Sequence, residues 1–139
     1  MSDIYVIKRG GSKEVMDLEK FHKVVMWACD DIKGVSPSEI ELKSHVQFYN
    51  NIQSADIQET LIKAAADLIS EETPNYQYVA GRLINYHLRK QVYNQYQPEH
   101  LYNHVQRVVD IGFYTKELLQ WYTHEEFHQM QSFIDHSRD

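Results

Sequence analysis

The spacing of apolar residues divides the chain into a short β-forming region and a series of amphipathic helices. Residues 4–7 and 13–16 are runs rich in β-formers, and they flank the pair Gly10-Gly11. Glycine takes positive φ without steric cost, so two glycines between two such runs are typical of a hairpin turn. The first twenty residues therefore predict a β-hairpin.

Four helices are predicted after the hairpin, because apolar residues recur three or four positions apart over about residues 18–33, 37–49, 54–69 and 75–96. Asp17 is expected to cap the first helix and Gly34 to end it. Ser36-Pro37-Ser38-Glu39 predicts a capping box at the start of the second helix. The apolar stripe of that helix is expected to consist of Leu42, Val46 and Tyr49.

Pro98 separates these helices from a second group, predicted at about 99–111, 115–121 and 123–135. The pattern predicts a mainly α-helical fold, in which a β-hairpin lies on a bundle of four helices and a helical extension follows. We expect two domains, at residues 4–94 and 95–139. The second is rich in aromatic residues and needs a packing partner, either the bundle or a protein surface outside this chain.

Composition excludes several classes of protein. The 139 residues suit a single core, and a formal net charge of -6 argues against nucleic acid as a direct partner. The single cysteine, Cys29, falls within a predicted helix, where we expect a buried, inert thiol in a reducing, cytoplasmic setting. No apolar run is long enough for a membrane span, so no membrane partner is expected.

Common catalytic and metal-binding signatures are missing from the sequence. His100/His104 and His124/His128 have the spacing that places two imidazoles on one helix face, but neither pair has a nearby cysteine or an HExxH pattern. We interpret them as exposed or core-rim histidines rather than metal ligands. No Ser-His-Asp arrangement, Walker A loop or GxGxxG is present, so no complete active site is predicted.

Cations concentrate at the hairpin of this otherwise acidic chain. Lys8, Arg9 and Lys13 surround the turn, a charge reversal suited to a phosphorylated ligand. The alternative is a surface hairpin whose cations contact only water. If the site exists, helix N-termini would favour the anion, and Glu14 or Asp17 would accept from a base amine or a ribose hydroxyl. The residues expected to converge on the phosphates are Lys8, Arg9, Lys20, Ser54 and Lys90.

Several segments resemble the N-terminal region of the large (alpha) subunit of class Ia ribonucleoside-diphosphate reductases, of the enterobacterial and tailed-phage type. Their first domain is an ATP-cone. The resemblance spans essentially the whole chain, and its segments are Lys8-Arg9-Gly10-Gly11-Ser12 and residues 41–49, 62–70, 76–80, 87–90 and 133–136.

The resemblance implies an allosteric site that binds ATP as activator and dATP as inhibitor, with or without Mg²⁺. The implied nucleotide-binding residues are Lys8, Arg9, Glu14, Asp17, Lys20, Phe21, Ser54, Gln58 and Lys90. Lys8, Arg9, Lys20, Ser54 and Lys90 would contact phosphates, and Glu14 would hold the base or sugar end. Two positions depart from the family: Asp17 stands where asparagine is usual, and Gln58 where histidine is usual. These differences concern inhibition by dATP more than the binding of ATP.

The resemblance also implies partners, namely the remainder of the large subunit and the small, radical-generating subunit, in deoxyribonucleotide biosynthesis for DNA replication. The family's catalytic residues lie in a barrel beyond residue 139, so no catalysis is expected from this chain alone. We expect a truncated form, a gene fragment or a split subunit. Two alternatives stay open: a degenerate cone that serves as a subunit-interaction module, and a repressor of the kind that joins a zinc ribbon to a cone, although no cysteine cluster precedes it here.

Overall fold

The computed structural model describes residues 3–139, and this part of the chain is mainly helical with one small sheet. The elements in chain order are β1 (Tyr5–Ile7), β2 (Lys13–Val15), α1 (Leu18–Cys29), α2 (Pro37–His45), β3 (Ile52–Gln53), α3 (Ser54–Asp67), α4 (Tyr76–Tyr93), α5 (Leu101–Asp110), α6 (Glu117–Trp121), α7 (His124–Gln131) and a 3-10 helix (His136–Arg138). None of these helices is long and apolar enough to cross a membrane.

The chain divides into two compact units. The first extends to Leu88 and the second from Arg89 to Asp139, so the boundary falls inside α4. Each unit has its own core. The core of the second unit is formed by Val105, Val109 and Phe127, against which pack Leu101, Tyr102, Leu118, Leu119 and Met130.

The predicted hairpin is confirmed, but its turn is wider than a two-residue turn. β1 and β2 pair antiparallel, with Ile7 opposite Lys13, and residues 8–12 form the connection. The backbone N–H of Lys8 donates to the carbonyl of Ser12, and the N–H of Gly11 donates to the carbonyl of Lys8, both at 2.8 Å. Only Gly11 takes positive φ, at +83°, so the expectation for Gly10 is wrong.

A third strand, β3, lies parallel to β1 and was not predicted. It pairs Ile52 with Val6 and Gln53 with Ile7, which gives the strand order β2-β1-β3. The Asn50 side-chain oxygen accepts from the N–H of Tyr5 at 3.0 Å, and the N–H of Asn51 donates to the carbonyl of Tyr5 at 2.9 Å. Asn50 and Asn51 therefore end the segment that follows α2 and hold β3 in register with β1.

One core joins the helices of the first unit. It takes buried side chains from α1 (Val25, Ala28, Cys29), α2 (Ile40), α3 (Leu61, Ala64, Ala65) and α4 (Tyr76, Val79, Ala80, Leu83). A smaller cluster lies beneath the sheet, with Val6, Ile52 and Ile57 at its centre. Phe21 packs against both clusters, so α1 links the sheet to the helical core.

Cys29 belongs to the helical core, at the last residue of α1. Burial raises the pKa of its thiol to about 11. A thiol that is protonated at neutral pH is a poor nucleophile and a poor metal ligand. The structure therefore agrees with an inert, structural cysteine.

The structure corrects two predictions for α2. Its buried residues are Ile40 and Ser44, whereas Leu42 and Val46 are 71% and 74% exposed and Tyr49 lies beyond its end. The expected apolar stripe is thus an exposed surface. The Ser44 hydroxyl tolerates burial because it donates to the carbonyl of Ile40 at 2.7 Å.

The expected capping box at Ser36 is absent from the described structure, because Ser36 makes no side-chain capping bond. Buried Tyr76 takes its place: its hydroxyl accepts from the N–H of Ser36 at 2.9 Å and donates to Glu39. A buried hydroxyl requires a partner, and this pair ties the start of α2 to α4. A capping box does form at Thr123 and Glu126, at the start of α7. The expected Asp17 cap of α1 is confirmed.

We predict that Tyr76→Phe lowers the free energy of unfolding by about 1–2 kcal/mol, because the N–H of Ser36 loses its acceptor inside the protein. Urea denaturation followed by circular dichroism measures the change. The matched control is Tyr78→Phe, since Tyr78 is exposed on the same helix. Equal stability of the Tyr76 and Tyr78 variants would contradict the role of the hydroxyl.

Candidate functional site

Lys8 follows β1, and Ser54, the first residue of α3, follows β3. The Lys8 N–H continues the ladder to Ser12, and because β1 and β3 run parallel with Ile7 opposite Gln53, Lys8 and Ser54 leave the sheet at the same end. Lys8 shares a sheet face with Val6, because side chains alternate along a strand. Val6 is buried in the cluster beneath the sheet, so Lys8 lies at the edge of the inner face.

Glu14 lies on the same inner face, opposite Val6. Its carboxylate Oε2 is 3.5 Å from the Nζ of Lys8. Both side chains keep substantial exposure, so this ion pair contributes little to folding and both groups are available to a ligand.

The other two hairpin cations do not share this position. Lys13 belongs to the outer face, where its Nζ lies 4.6 Å above the ring of Tyr5. Arg9 is exposed at the turn, and its side chain makes no hydrogen bond or ion pair with residues 3–139. The expected group of three cations is therefore divided between two faces and the tip of the hairpin.

The start of α3 has the properties of an anion site. α3 begins directly after β3, and within the described structure its N-cap residue Gln53 makes no side-chain capping bond. The first amide N–H groups of a helix have no partner inside the helix, and they form the positive end of its dipole. Ser54, the first residue of α3, adds a hydroxyl beside them.

The start of α1 differs, because Asp17 already occupies it. The Asp17 carboxylate accepts from the N–H groups of Glu19 and Lys20, at 3.0 and 3.1 Å, and lies 3.5 Å from the Nζ of Lys20. The hydrogen bond from the Lys20 amide, with help from the Lys20 charge, lowers the pKa of Asp17. The negative charge that this helix end favours thus comes from the chain itself.

The two helix starts lie at opposite ends of β1. β2 runs antiparallel to β1 and ends beside Tyr5, so Asp17 and Lys20 follow at that end. Ser54 follows β3 at the other end, beside Lys8. The separation along the strand is about 10 Å, from three residues at about 3.3 Å each. The inner face therefore has a cationic end and an acidic, capped end.

Gln58 supplies the observation that points most directly to a ligand. It lies four residues after Ser54, on the same side of α3, and next to Ile57 of the cluster beneath the sheet. Its side-chain oxygen Oε1 is buried and has no hydrogen-bond partner among the described residues. A buried unpaired acceptor costs about 1–3 kcal/mol, so this oxygen can accept a hydrogen bond from a water or a ligand that enters beside α3.

Two further predicted residues complete the set. Phe21 lies on α1, one turn after Asp17, and meets the ring of Phe48 edge-on at 5.3 Å between centroids. Lys90 lies in the last turn of α4, within the second unit. The structure brings Lys8 and Glu14 into contact at the end of the sheet where α3 begins with Ser54, with Gln58 one turn further along α3. Asp17 and Lys20 lie at the other end.

No group of three or more His, Cys, Asp or Glu side chains within residues 3–139 is arranged to hold a metal ion. The end of the sheet at Lys8 offers one lysine, one carboxylate, a hydroxyl, an amide and a helix start. Its chemistry is that of recognising an anion with an attached polar group.

Comparisons with known proteins give a consistent result. The ATP cone domain family matches residues 4–91. The chain is 53% identical over 137 residues to ribonucleoside-diphosphate reductase 1 subunit alpha of Escherichia coli (strain K12), covering 99% of this chain and 18% of that protein. It is 41% identical over 141 residues to the corresponding alpha subunit of Enterobacteria phage T4, covering 100% and 18%. The alpha subunit of Buchnera aphidicola subsp. Schizaphis graminum is 52% identical over 138 residues, covering 99% and 18%.

The ionisation of Asp17 predicts that the stability of the folded chain depends on pH. Its pKa is lower in the folded chain than in the unfolded one, so the folded form binds fewer protons in acid. The stability that the cap adds is full above the pKa of an unfolded aspartate, about 4, and is lost as the pH falls further.

Asp17→Asn retains a capping side chain that does not titrate. We therefore expect the wild type to lose stability relative to this variant between about pH 5 and pH 3, measured by urea denaturation across that range. If the free energy of unfolding depended on pH equally in the two proteins, the lowered pKa of Asp17 would be contradicted.

Proposed function

The chain belongs to the ATP-cone domain family, and from this we propose that residues 4–94 form an allosteric domain that binds ATP or dATP. The single observation that carries the proposal is the buried, unpartnered Gln58 oxygen, one turn from the start of α3. Lys8 beside that helix start supplies the charge that a triphosphate requires.

The two ends of the inner face differ in charge, and this difference favours one orientation of the nucleotide. We place the phosphates at the cationic end, against Lys8 and the first turn of α3, with Arg9 closing over them from the hairpin tip. A carboxylate beside a triphosphate is unfavourable, so Asp17 belongs to the sugar and base. Glu14 is 3.5 Å from the Nζ of Lys8, and in this proposal it turns from Lys8 towards the sugar and base when the phosphates bind. Mg²⁺, when present, would enter with the triphosphate oxygens.

The remaining residues have supporting roles in this proposal. Phe21 lines the site from α1, where its contact with Phe48 fixes the ring. The ion pair between Lys20 and Asp17 partly neutralises the carboxylate that faces the nucleotide. The assignment of Lys90 to the phosphates rests on the family resemblance. We also propose that α1–α4 act as one bundle beneath the hairpin, since all four contribute to one core.

The wider role follows from the relatives, which are named as alpha subunits of ribonucleoside-diphosphate reductase. The chain spans 18% of the length of these relatives. We propose that it regulates the overall activity of such a reductase in deoxyribonucleotide synthesis, in the cytoplasm of a bacterial or phage-infected cell. Its partners would be the remainder of the large subunit, reached through residues 95–139, and the small radical-generating subunit.

A second candidate function is favoured by exposed apolar side chains in the second unit. Phe113 and Phe133 are 81% and 87% exposed, and Trp121 is also exposed. Such a surface is typical of protein–protein contacts. In this alternative the chain is a degenerate cone that serves as a subunit-interaction module. Size-exclusion chromatography with a separately made catalytic portion of a related alpha subunit tests it, and failure to co-elute would exclude it.

Calorimetric titration of the chain with ATP tests the leading proposal. We expect Lys8→Ala to weaken ATP binding by about 1–3 kcal/mol, since it removes a charge-assisted hydrogen bond. The matched control is Lys13→Ala, which removes a charge of the same hairpin from the outer face and should leave affinity nearly unchanged. An absence of binding at millimolar ATP would refute the proposal, and equal losses in the two variants would refute the placement of the site.

Gln58→Met should change stability and ATP affinity in opposite directions. Replacing the unpaired buried amide by an apolar side chain of similar size should raise the stability of the nucleotide-free protein, by up to about 1–3 kcal/mol. The same change should weaken ATP binding, because the ligand loses its partner. Gln77→Met, at an exposed position of α4, serves as the control. A variant that is destabilised without nucleotide, or that binds ATP as well as the wild type, would contradict the assigned role.

A further inference from the structure

Three of the eight histidines form a stack within the second unit. His100 immediately precedes α5, and His124 and His128 lie one turn apart on α7. The ring centroid of His100 is 5.9 Å from that of His124 and 5.5 Å from that of His128, with planes within 2° and 9° of parallel. We call these three side chains the imidazole stack.

The stack was not predicted, because sequence spacing pairs His100 with His104. In the structure His104 turns towards Glu99, with its Nδ1 3.3 Å from a carboxylate oxygen, and towards the ring of Tyr93. His100 instead joins the α7 pair. A neighbouring bond ties the same two elements, since the N–H of Leu101 donates to the side-chain oxygen of Gln131 at 2.6 Å.

A directional chain of hydrogen bonds fixes the protonation state of the stack. The N–H of Tyr102 donates to the Nδ1 of His100 at 3.2 Å, so this nitrogen carries no proton and caps α5. A neutral imidazole has one N–H, which must then be on the Nε2 of His100. That nitrogen lies 3.3 Å from the Nδ1 of His128, which accepts the bond. The closed arrangement therefore requires neutral rings at His100 and His128, whereas His124 contributes only its ring contacts.

Protonation breaks this chain at either ring. A proton on the Nδ1 of His100 removes the cap and places a cation at the positive end of the α5 dipole. A proton on the Nδ1 of His128 sets donor against donor. A metal ion meets the same obstacle, because a neutral His100 that binds metal through Nε2 must carry its proton on Nδ1.

The nearby carboxylates pair with other groups or are exposed to solvent. Glu99 is held by Arg107 at 2.6 Å and by His104, and Glu126 bonds the backbone N–H of Thr123. Glu125 is exposed on α7, and the Tyr102 ring lies 4.5 Å from that of His124. No carboxylate of residues 3–139 forms an ion pair with His100, His124 or His128.

We propose that the imidazole stack is a pH-sensitive latch that holds the start of α5 to α7 at neutral pH and opens on acidification. The open form binds more protons than the closed form, so lowering the pH favours opening. The latch would make the packing of α5 against α7 depend on pH, without involving the nucleotide.

Hydrogen exchange of the 139-residue chain tests the latch, compared at pH 7.5 and pH 5.5 after correction for intrinsic exchange rates. We expect protection of amides in α5 and α7 to fall by about tenfold per pH unit for each extra proton bound by the open form. Amides of α3, in the first unit, provide the internal reference. Unchanged protection of α5 and α7 in the wild type would overturn the proposal.

A triple variant, His100→Asn, His124→Gln and His128→Gln, removes the titrating groups while asparagine keeps an N-cap acceptor. Its protection of α5 and α7 should be nearly independent of pH, whereas His104→Gln should behave as the wild type. A triple variant that retains the acid-induced loss would overturn the proposal. If this variant does not fold, NMR of the wild-type ring nitrogens decides, since a protonated Nδ1 of His100 at pH 7.5 contradicts the hydrogen-bond chain.

Discussion

The parallel pairing of β1 with the two residues of β3 is the contact on which the candidate site depends. It places Lys8 and Ser54 at the same end of the sheet, although 45 residues separate them in sequence. The strand is too short to be stable alone, and Asn50 and Asn51 hold it through bonds to both backbone groups of Tyr5. Without this register, the hairpin cations and the start of α3 would have no fixed relation.

The starts of α1 and α3, both near the sheet, differ in their charges and in their hydrogen bonds. α1 supplies its own anion, the Asp17 carboxylate, whose pKa is lowered by the amide of Lys20. α3 makes no side-chain capping bond and carries Asp56 in its first turn, and it begins at the end of the sheet where Lys8 follows β1. The buried Gln58 oxygen lies one turn into α3, and in the proposed site the ligand binds at this end. The inner face of the sheet therefore has a cation at one end and a carboxylate cap at the other. This difference in charge suits a molecule with phosphates at one end.

Local patterns predicted the hairpin, the Asp17 cap and the positions of the helices, because each depends on neighbouring residues. They failed where a distant residue decided the outcome. Tyr76, from α4, took the place of the expected cap at Ser36, and the core selected Ile40 instead of the more exposed Leu42. β3 is too short to show periodicity, so the closeness of Lys8 and Ser54 was not derivable. The separation of Lys13 from Lys8 follows from the hairpin register, which the sequence alone did not give.

The most direct measurement is an NMR titration of the isotopically labelled chain with ATP and, separately, with inorganic tripolyphosphate. We expect both ligands to shift the backbone amides of residues 54–57 and of Lys8, whereas the amides of Glu19 and Lys20, already bonded to Asp17, should change little with tripolyphosphate. Shifts concentrated at the start of α1, with residues 54–57 unaffected, would contradict it.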